Sequence, residues 1–291
     1  LIGVGAQLSP CYNVLMNQSS KKLIKSLLKK YKIRPQKRFG QNFLTDKSVL
    51  RKIIAAADLL PTDIILEIGS GTGILTKELA KRTKRVIAVE KDYKMVEILK
   101  KETKSFKNVK IVQGDILRIQ NSEFRIQNSY KVAANLPYYI VSPVLRKFLE
   151  SKNPPKKMIL MTQKEVAQRI CAKPPNMNLL AVSVQFYAKP KIVSFVSKKS
   201  FWPEPKVDSA ILRITQIHTD KKTDSHRFFK IVKAGFSQPR KQIINNLSKG
   251  LKIEKEKIEN WLQKNGVRPE RRAETLSLRD WTGLTRTFVS K

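Results

Sequence analysis

The feature that most constrains this chain is a repeated alternation of short apolar or β-branched runs with helical patterns. Runs at 64–68, 85–89, 109–112 and 131–134 read as strands, and stretches around 75–82 and 94–101 between the first three read as helices. Strand, helix, strand in repetition builds a parallel sheet with helices on its faces. A further strand is expected over 158–162, leading into a helix over 164–172. Beyond Pro190, runs at 192–196 and 209–214 flank the proline-rich stretch Phe201-Trp202-Pro203-Glu204-Pro205 and suit two late strands joined by a stiff loop. From about Thr223 the pattern turns helical, with Phe228, Phe229, Val232 and Phe236 on one face, then Ile243, Ile244 and Leu247. A boundary near 217–224 gives three parts: a flexible basic N-terminal arm over 1–36, an α/β domain over 37–218, and a helical domain over 219–291.

The first strand ends in Glu67-Ile68-Gly69-Ser70-Gly71-Thr72-Gly73 and runs into a helix near Ile74. Glycines at alternate positions allow a tight turn and let a ligand approach the backbone at the carboxyl edge of the sheet. The dinucleotide fingerprint G-x-G-x-x-G fails, because three positions after Gly71 stands Ile74. The second strand ends at Glu90, 21 residues after Gly69, where a carboxylate can accept both hydroxyl hydrogens of a ribose. The third ends at Gly114-Asp115, an acceptor suited to the exocyclic amine of an adenine. Alone, Glu90 would pass as a surface glutamate; three such strand ends in register describe a nucleoside pocket.

A nucleoside pocket without a diphosphate fingerprint points to S-adenosylmethionine. The fourth strand then ends in Asn135-Leu136-Pro137-Tyr138. An adenine N6 amine is a poor nucleophile because its lone pair is delocalised into the ring. The Asn135 side chain and the Leu136 or Pro137 carbonyl can hold its hydrogens and aim the lone pair at a sulfonium methyl, while Tyr138 offers a flat face for an extruded base. As a bare tetrapeptide this would be an ordinary strand-ending turn.

Charge names the partner class. With 59 Lys+Arg against 23 Asp+Glu, the net charge of +36 is costly in self-repulsion and expected of a chain that meets a polyanion. Nine cations and no acid fall between Lys21 and Arg38, with Leu23, Ile24, Leu27 and Leu28 at helical spacing. Lys37, Arg38, Arg240, Lys241, Arg268, Arg271 and Arg272 are candidate RNA contacts, and Phe201 is either a stacking aromatic opposite Tyr138 or a core residue. Residues 1–20 carry no charge, but Gly3, Gly5, Pro10, Asn13 and Gln18 interrupt the run, so no signal or membrane span is expected. Residues 1–15, ahead of Met16, read equally as upstream translation or as an extension. Cys11 and Cys171, and His218 and His226, lack metal-ligand or disulfide spacing, so no metal is expected.

From about Lys37 to Leu278 the chain resembles the small-subunit ribosomal RNA adenine N6,N6-dimethyltransferases. The residues that carry the likeness are Lys37-Arg38-Phe39-Gly40-Gln41-Asn42-Phe43-Leu44, the glycine loop, Glu90, Asp115 and Asn135-Leu136-Pro137-Tyr138. Further matches are Gln163-Lys164-Glu165-Val166, the motif from Phe201 to Ala210, and the run from Phe236 to Gln242. The resemblance implies a class I, Rossmann-like methyltransferase sheet with a smaller all-helical C-terminal domain. It also implies two methyl transfers to each of two adjacent adenines near the 3′ end of small-subunit rRNA. The implied donor site comprises Asn42, Leu44, Gly69, Glu90, Asp115 and Asn135, and Gln41, Gly71, Gly73 and Ile116 are further donor-site candidates. The implied setting is a cytoplasmic monomer acting on a pre-ribosomal particle of 30S type. The chain departs from the family's pattern at Asn176–Leu180, where a Tyr-Gly-Arg is usual, and at Gln238-Pro239-Arg240, which has one cation fewer. Macrolide-resistance methyltransferases, which modify a large-subunit adenine, share most donor motifs; Leu136 and the Phe201–Ala210 motif favour the first family. A non-catalytic RNA-binding assembly factor on the same scaffold is disfavoured by intact Glu90, Asp115 and Asn135.

Overall fold

The computed structural model describes residues 20–36, 39–124, 126, 129–218 and 223–288. In chain order the elements are α1 (Ser20–Lys30), β1 (Phe43–Leu44), α2 (Lys47–Ala57), β2 (Ile64–Ile68), α3 (Ile74–Ala80), β3 (Arg85–Glu90), α4 (Tyr93–Glu102), β4 (Val109–Gln113) and β5 (Lys131–Asn135). There follow α5 (Val141–Leu149), β6 (Lys157–Gln163), α6 (Lys164–Ile170), α7 (Leu179–Tyr187), β7 (Lys189–Val196), β8 (Phe201–Trp202) and β9 (Ser209–Thr215). The helical part comprises α8 (Ser225–Gly235), α9 (Ile243–Leu251), α10 (Lys255–Lys264) and α11 (Leu278–Thr287).

Seven strands form one sheet in the order β4-β3-β2-β5-β6-β9-β7. The pairings from β4 to β6 are all parallel, and β9 enters antiparallel between β6 and β7. The order reverses between β2 and β5, and in such sheets ligands bind at the carboxyl ends beside that reversal. Successive side chains point to opposite faces. Leu66, Ile87, Val132, Leu160 and Leu212 lie in one apolar cluster, while Ile65, Val86, Ala133, Ile159 and Ile211 meet α2 and α3 in another.

The first of these clusters does not stop at the expected boundary, part of which lies outside the described residues. It runs through Phe186 and Tyr187 of α7 into Phe228 of α8 and on to Trp281 of α11. The Phe186 and Phe228 rings stack with centroids 4.1 Å apart. The helical part is therefore packed onto the sheet's helices through a shared core.

The expectation of a flexible arm needs correction for residues 20–36. Ile24 and Leu28 of α1 are fully buried with Ile33 against Phe43 of β1 and Met95 and Ile98 of α4, while Lys21, Lys22, Lys25, Lys29 and Lys30 point outward. Burying each large aliphatic side chain contributes about 1.5–3 kcal/mol, enough to anchor a single amphipathic helix. Residues 1–19, with the alternative readings of 1–15, lie outside the described residues. Among the described residues no helix is long and apolar enough to cross a membrane.

Candidate active site

At the carboxyl edge, one pocket is lined by Gln41, Asn42, Gly69, Gly71, Glu90, Asp115, Ile116, Asn135, Leu136, Pro137, Tyr138 and Phe201. Most of the residues singled out from sequence thus converge, drawn from five strand ends and one loop. The loop is held down by pairing: β1 and β8 are antiparallel, with Phe43 opposite Trp202 and Leu44 opposite Phe201. Gly40 makes this closure feasible. Its φ is +59°, and a Cβ there would stand 3.0 Å from Cβ of Pro137.

The donor half is built on the glycine loop. Gly71 N–H donates to Glu90 Oε2 at 2.9 Å, and Asp92 N–H donates to Oε1 at 2.9 Å. Burial raises the Glu90 carboxyl above its ordinary range, and those N–H groups only partly oppose it. Each carboxylate oxygen retains a further lone pair for a hydroxyl donor. Beneath it, Glu67 is buried and receives the Thr76 hydroxyl at 2.6 Å. Burial pushes its carboxyl up to about 7 despite that hydrogen bond, with the Glu90 charge adding to the rise. At the far end Asp115 Oδ1 accepts Leu117 N–H at 3.0 Å, and Oδ2 lies 2.9 Å from Lys91 Nζ. Partial burial would raise the Asp115 carboxyl, but the Lys91 ammonium and Leu117 N–H outweigh it and hold it below the usual range.

At the end of β5, Asn135 Nδ2 donates to the Asn42 carbonyl at 3.1 Å. That bond fixes the amide orientation and leaves Oδ1 as an acceptor. The Pro137 carbonyl takes Ile140 N–H at 3.1 Å, so of the two carbonyls left open by the sequence, Leu136's is the better placed acceptor. The Tyr138 hydroxyl and Ser209 Oγ are 2.8 Å apart, which fixes the ring's tilt, and burial raises the phenol's pKa. Phe201, 2% exposed, is both a core residue and a pocket wall.

Two expected donor residues fall elsewhere. The Leu44 side chain packs in the core with Val49 and Ile53, and Leu44 pairs with Phe201 of β8. Gly73 caps α3 with φ +79°, and a Cβ there would meet Leu99 of α4 at 2.9 Å. Of the expected RNA contacts, Lys37 and Arg38 lie outside the described residues. Arg240 and Lys241 are exposed between α8 and α9. Arg271 donates to Thr275 Oγ1 at 3.0 Å and to the Thr275 carbonyl and lies 3.8 Å from Asp280, while Arg272 lies 3.9 Å from Glu274. Their guanidinium groups brace the turn before α11.

Lys91, Asp92, Met95 and Tyr139 were not foreseen. Asp92, 2% exposed, caps α4 and accepts Gln41 Nε2 at 2.8 Å, so Gln41 ties the covering loop to the donor side. An aspartate just before a helical run is a readable cap signal; nothing in the sequence marks Tyr139. No cluster of three or more metal-ligating side chains occurs among the described residues.

A largely parallel seven-stranded sheet with an inserted antiparallel strand, a glycine loop after its first long strand and an acid ending the next define a class I methyltransferase. Within that class the chain belongs to the ribosomal RNA adenine dimethylase family, whose model matches residues 15–288. It is 46% identical over 263 residues to a ribosomal RNA small subunit methyltransferase A of Dehalococcoides mccartyi, covering 89% of this chain and 90% of the relative. A protein of the same description from Clostridium botulinum is 40% identical, with 90% and 96% covered. Among solved structures, a dimethyladenosine transferase from Plasmodium falciparum superposes with a TM-score of 0.70 at 28% identity, covering 83% and 95%. The 23S rRNA methyltransferase ErmE also gives 0.70, at 25% identity, covering 84% and 98%.

Proposed function

We propose that this protein transfers methyl groups from S-adenosylmethionine to the N6 amines of two adjacent adenines near the 3′ end of small-subunit ribosomal RNA. The observation that carries the reading is the convergence of Glu90, Asp115 and the Asn135–Tyr138 turn on one pocket. Backbone fold does not decide the substrate, since a dimethyladenosine transferase and a 23S rRNA methyltransferase give the same TM-score. Sequence does: 46% and 40% identity over nine tenths of the chain lie with small-subunit relatives, against 25% with ErmE.

The residues fit the donor. Gly69 and Gly71, with φ of +74° and +52°, bare the backbone where a nucleoside must lie close. A buried Glu90 supplies acceptors for two ribose hydroxyls, and Asp115, held ionised by Lys91, accepts the adenine amine beside Ile116. When bound, the donor supplies an electrophilic methyl on a sulfonium. The protein's part is positioning. Tyr138 stacks the extruded base, and Asn135 Oδ1 with the Leu136 carbonyl holds the two amine hydrogens, so that the nitrogen lone pair faces the donor. No base is required: the nitrogen becomes cationic only as its bond to carbon forms, and its proton leaves afterwards.

Around this centre, residues 37–218 act as the catalytic domain and 219–291 as the RNA-gripping helical domain, with the exposed Arg240 and Lys241 and the cations of α1 as phosphate contacts. The protein works as a cytoplasmic monomer on a pre-ribosomal small subunit. The test is incubation with labelled methyl donor and separated, unmethylated subunits. Label in N6,N6-dimethyladenine of the small subunit is expected; label confined to the large subunit, or in neither, refutes the reading.

A further inference from the structure

Among the described residues three aromatic side chains are more than half exposed: Tyr93 at 57%, Tyr139 at 60% and Phe195 at 52%. Isolated exposed apolar residues are ordinary and need no explanation. These three share one edge of the molecule. Tyr93 follows the end of β3, Tyr139 follows the end of β5, and Phe195 is the penultimate residue of β7. Because β7 and β6 are each antiparallel to β9, β7 runs with the parallel strands and ends on the same carboxyl edge as Asn135.

Tyr139 lines the mouth of the pocket itself, beside the Gly40 loop and one residue beyond Tyr138. Phe195 is level with Ala210 and Thr162, one residue further toward the edge than Met161, which is level with Asn135. Three strand spacings of about 4.8 Å put it roughly 14 Å sideways from the reaction centre. An extended single strand covers that distance in a few nucleotides. The path between them is built: the residue after Phe195 pairs with Ser209, whose hydroxyl meets that of Tyr138 at 2.8 Å.

The surroundings of Phe195 are cationic. Lys164 Nζ sits 5.3 Å from the centre of its ring, Lys198 and Lys199 follow β7 directly, and Lys206 is exposed nearby in sequence. The carboxylates of this stretch are partly taken up: Glu204 lies 3.2 Å from Lys198, and Asp208 accepts the Lys198 N–H. An aromatic face with an ammonium beside it suits a base stacked on the ring and its phosphate on the cation, an arrangement that tolerates any base. The chain's net charge of +36 favours a polyanionic strand over a protein at this face.

Resting on the function proposed above, we propose that Tyr139 and Phe195 are stacking platforms for unpaired nucleotides flanking the target adenine. Single-stranded RNA then crosses the carboxyl edge from β5 to β7 while the target base enters beside Tyr138. Tyr93 lies on the donor side of the pocket and has no part in this track.

The test compares Tyr139→Ala, Phe195→Ala and the double variant with Tyr139→Phe and Phe195→Tyr. Affinities are measured for unmethylated small subunits, for deproteinised small-subunit rRNA and, by calorimetry, for the methyl donor. Each alanine is expected to weaken binding to both RNA substrates about tenfold, equivalent to about 1.4 kcal/mol, and the double variant about a hundredfold. Donor affinity should be unchanged in Phe195→Ala, which stands outside the pocket's lining, and the aromatic replacements should stay within about twofold of wild type. Alanine variants that keep the wild-type donor affinity and also the wild-type RNA affinity overturn the proposal. So does a loss seen with intact subunits but not with bare rRNA, which would assign the platform to a ribosomal protein. If the wild-type protein leaves small subunits unlabelled, the function reading fails instead; labelled subunits with unaltered alanine variants sink the stacking track alone.

Discussion

Replacing Glu67 with Gln should remove a pH dependence of stability that the wild-type protein carries. Glu67 is 1% exposed, and burial raises its carboxyl from 4.5 to about 7. Below pH 4.5 the group is protonated in both the folded and the unfolded chain, and the folded state bears no cost. Between 4.5 and 7 the unfolded chain loses the proton while the folded one keeps it, so stability falls as pH rises, by about 1.4 kcal/mol per unit. Above 7 both states are ionised and the loss levels off. A rise of about 2.5 units corresponds to roughly 3 kcal/mol. Glutamine keeps the side chain's size and an acceptor for the Thr76 hydroxyl at 2.6 Å, but does not titrate. Urea unfolding of both proteins from pH 4.5 to 8.5 at fixed ionic strength gives the difference in stability, in which the other titrating groups largely cancel. The variant should gain about 3 kcal/mol on wild type across that range. A difference flat to within about 0.5 kcal/mol, or one of opposite slope, would refute the assignment of Glu67 as a buried acid with a raised pKa.

Glu90→Gln should weaken donor binding by about 2–3 kcal/mol, since the amide cannot accept from Gly71 and Asp92 and from two ribose hydroxyls together; calorimetric titration of the folded variant checks it, and an unchanged affinity removes the ribose assignment. Because burial raises the Glu90 pKa, wild-type donor affinity should fall as pH is lowered through that raised value, and the dependence should disappear in the variant. Asn135→Ala should lower single-turnover methyl transfer about a hundredfold, roughly 2–4 kcal/mol, with RNA affinity little altered. Asn135→Asp keeps an acceptor but loses the N–H given to Asn42 at 3.1 Å; rates between those of wild type and Ala are expected, and a wild-type rate in Asn135→Ala would dismiss the end of β5 as the reaction centre.

What the sequence disclosed about this molecule depended on range. Period and turn chemistry are local, so the alternation of strands and helices and the glycine loop after Ile68 could be read directly. The pocket followed because parallel strands ending in Gly69, Glu90, Asp115 and Asn135 must end on one edge. The helix α2 was passed over although Asp46 caps it and Val49, Ile53 and Ala57 recur at helical spacing; the lysines and alanines around them blurred the stripe. In α1 the helical spacing of Ile24 and Leu28 was legible, but not the surface of Phe43, Met95 and Ile98 on which they are buried. Pairings between distant segments leave no local trace. Two-residue strands such as β1 and β8 are too short for a period, so the pairing that sets Leu44 opposite Phe201 left no trace in the sequence. The insertion of β9 between β6 and β7 is likewise a matter of register across 46 positions or more, from Gln163 to Ser209.

That insertion also sets a timetable for synthesis. A ribosome releases this chain from the N-terminus, so β6 emerges with its parallel partner β5 on one side and an open edge on the other. Until residues 209–215 follow, the apolar strand Met158-Ile159-Leu160-Met161 offers unpaired backbone groups to whatever it meets. Over the same interval the loop bearing Asn42 has no β8 to hold it down, since Phe201 and Trp202 have yet to emerge. A nascent chain therefore has neither a sealed sheet nor a walled pocket until more than two thirds of it has left the exit tunnel, and both are completed within about fifteen residues of each other. Ligand capture is postponed to nearly the same moment that the most adhesive edge is capped, so a chain broken off before residue 201 lacks both the pocket wall and the strand that covers β6.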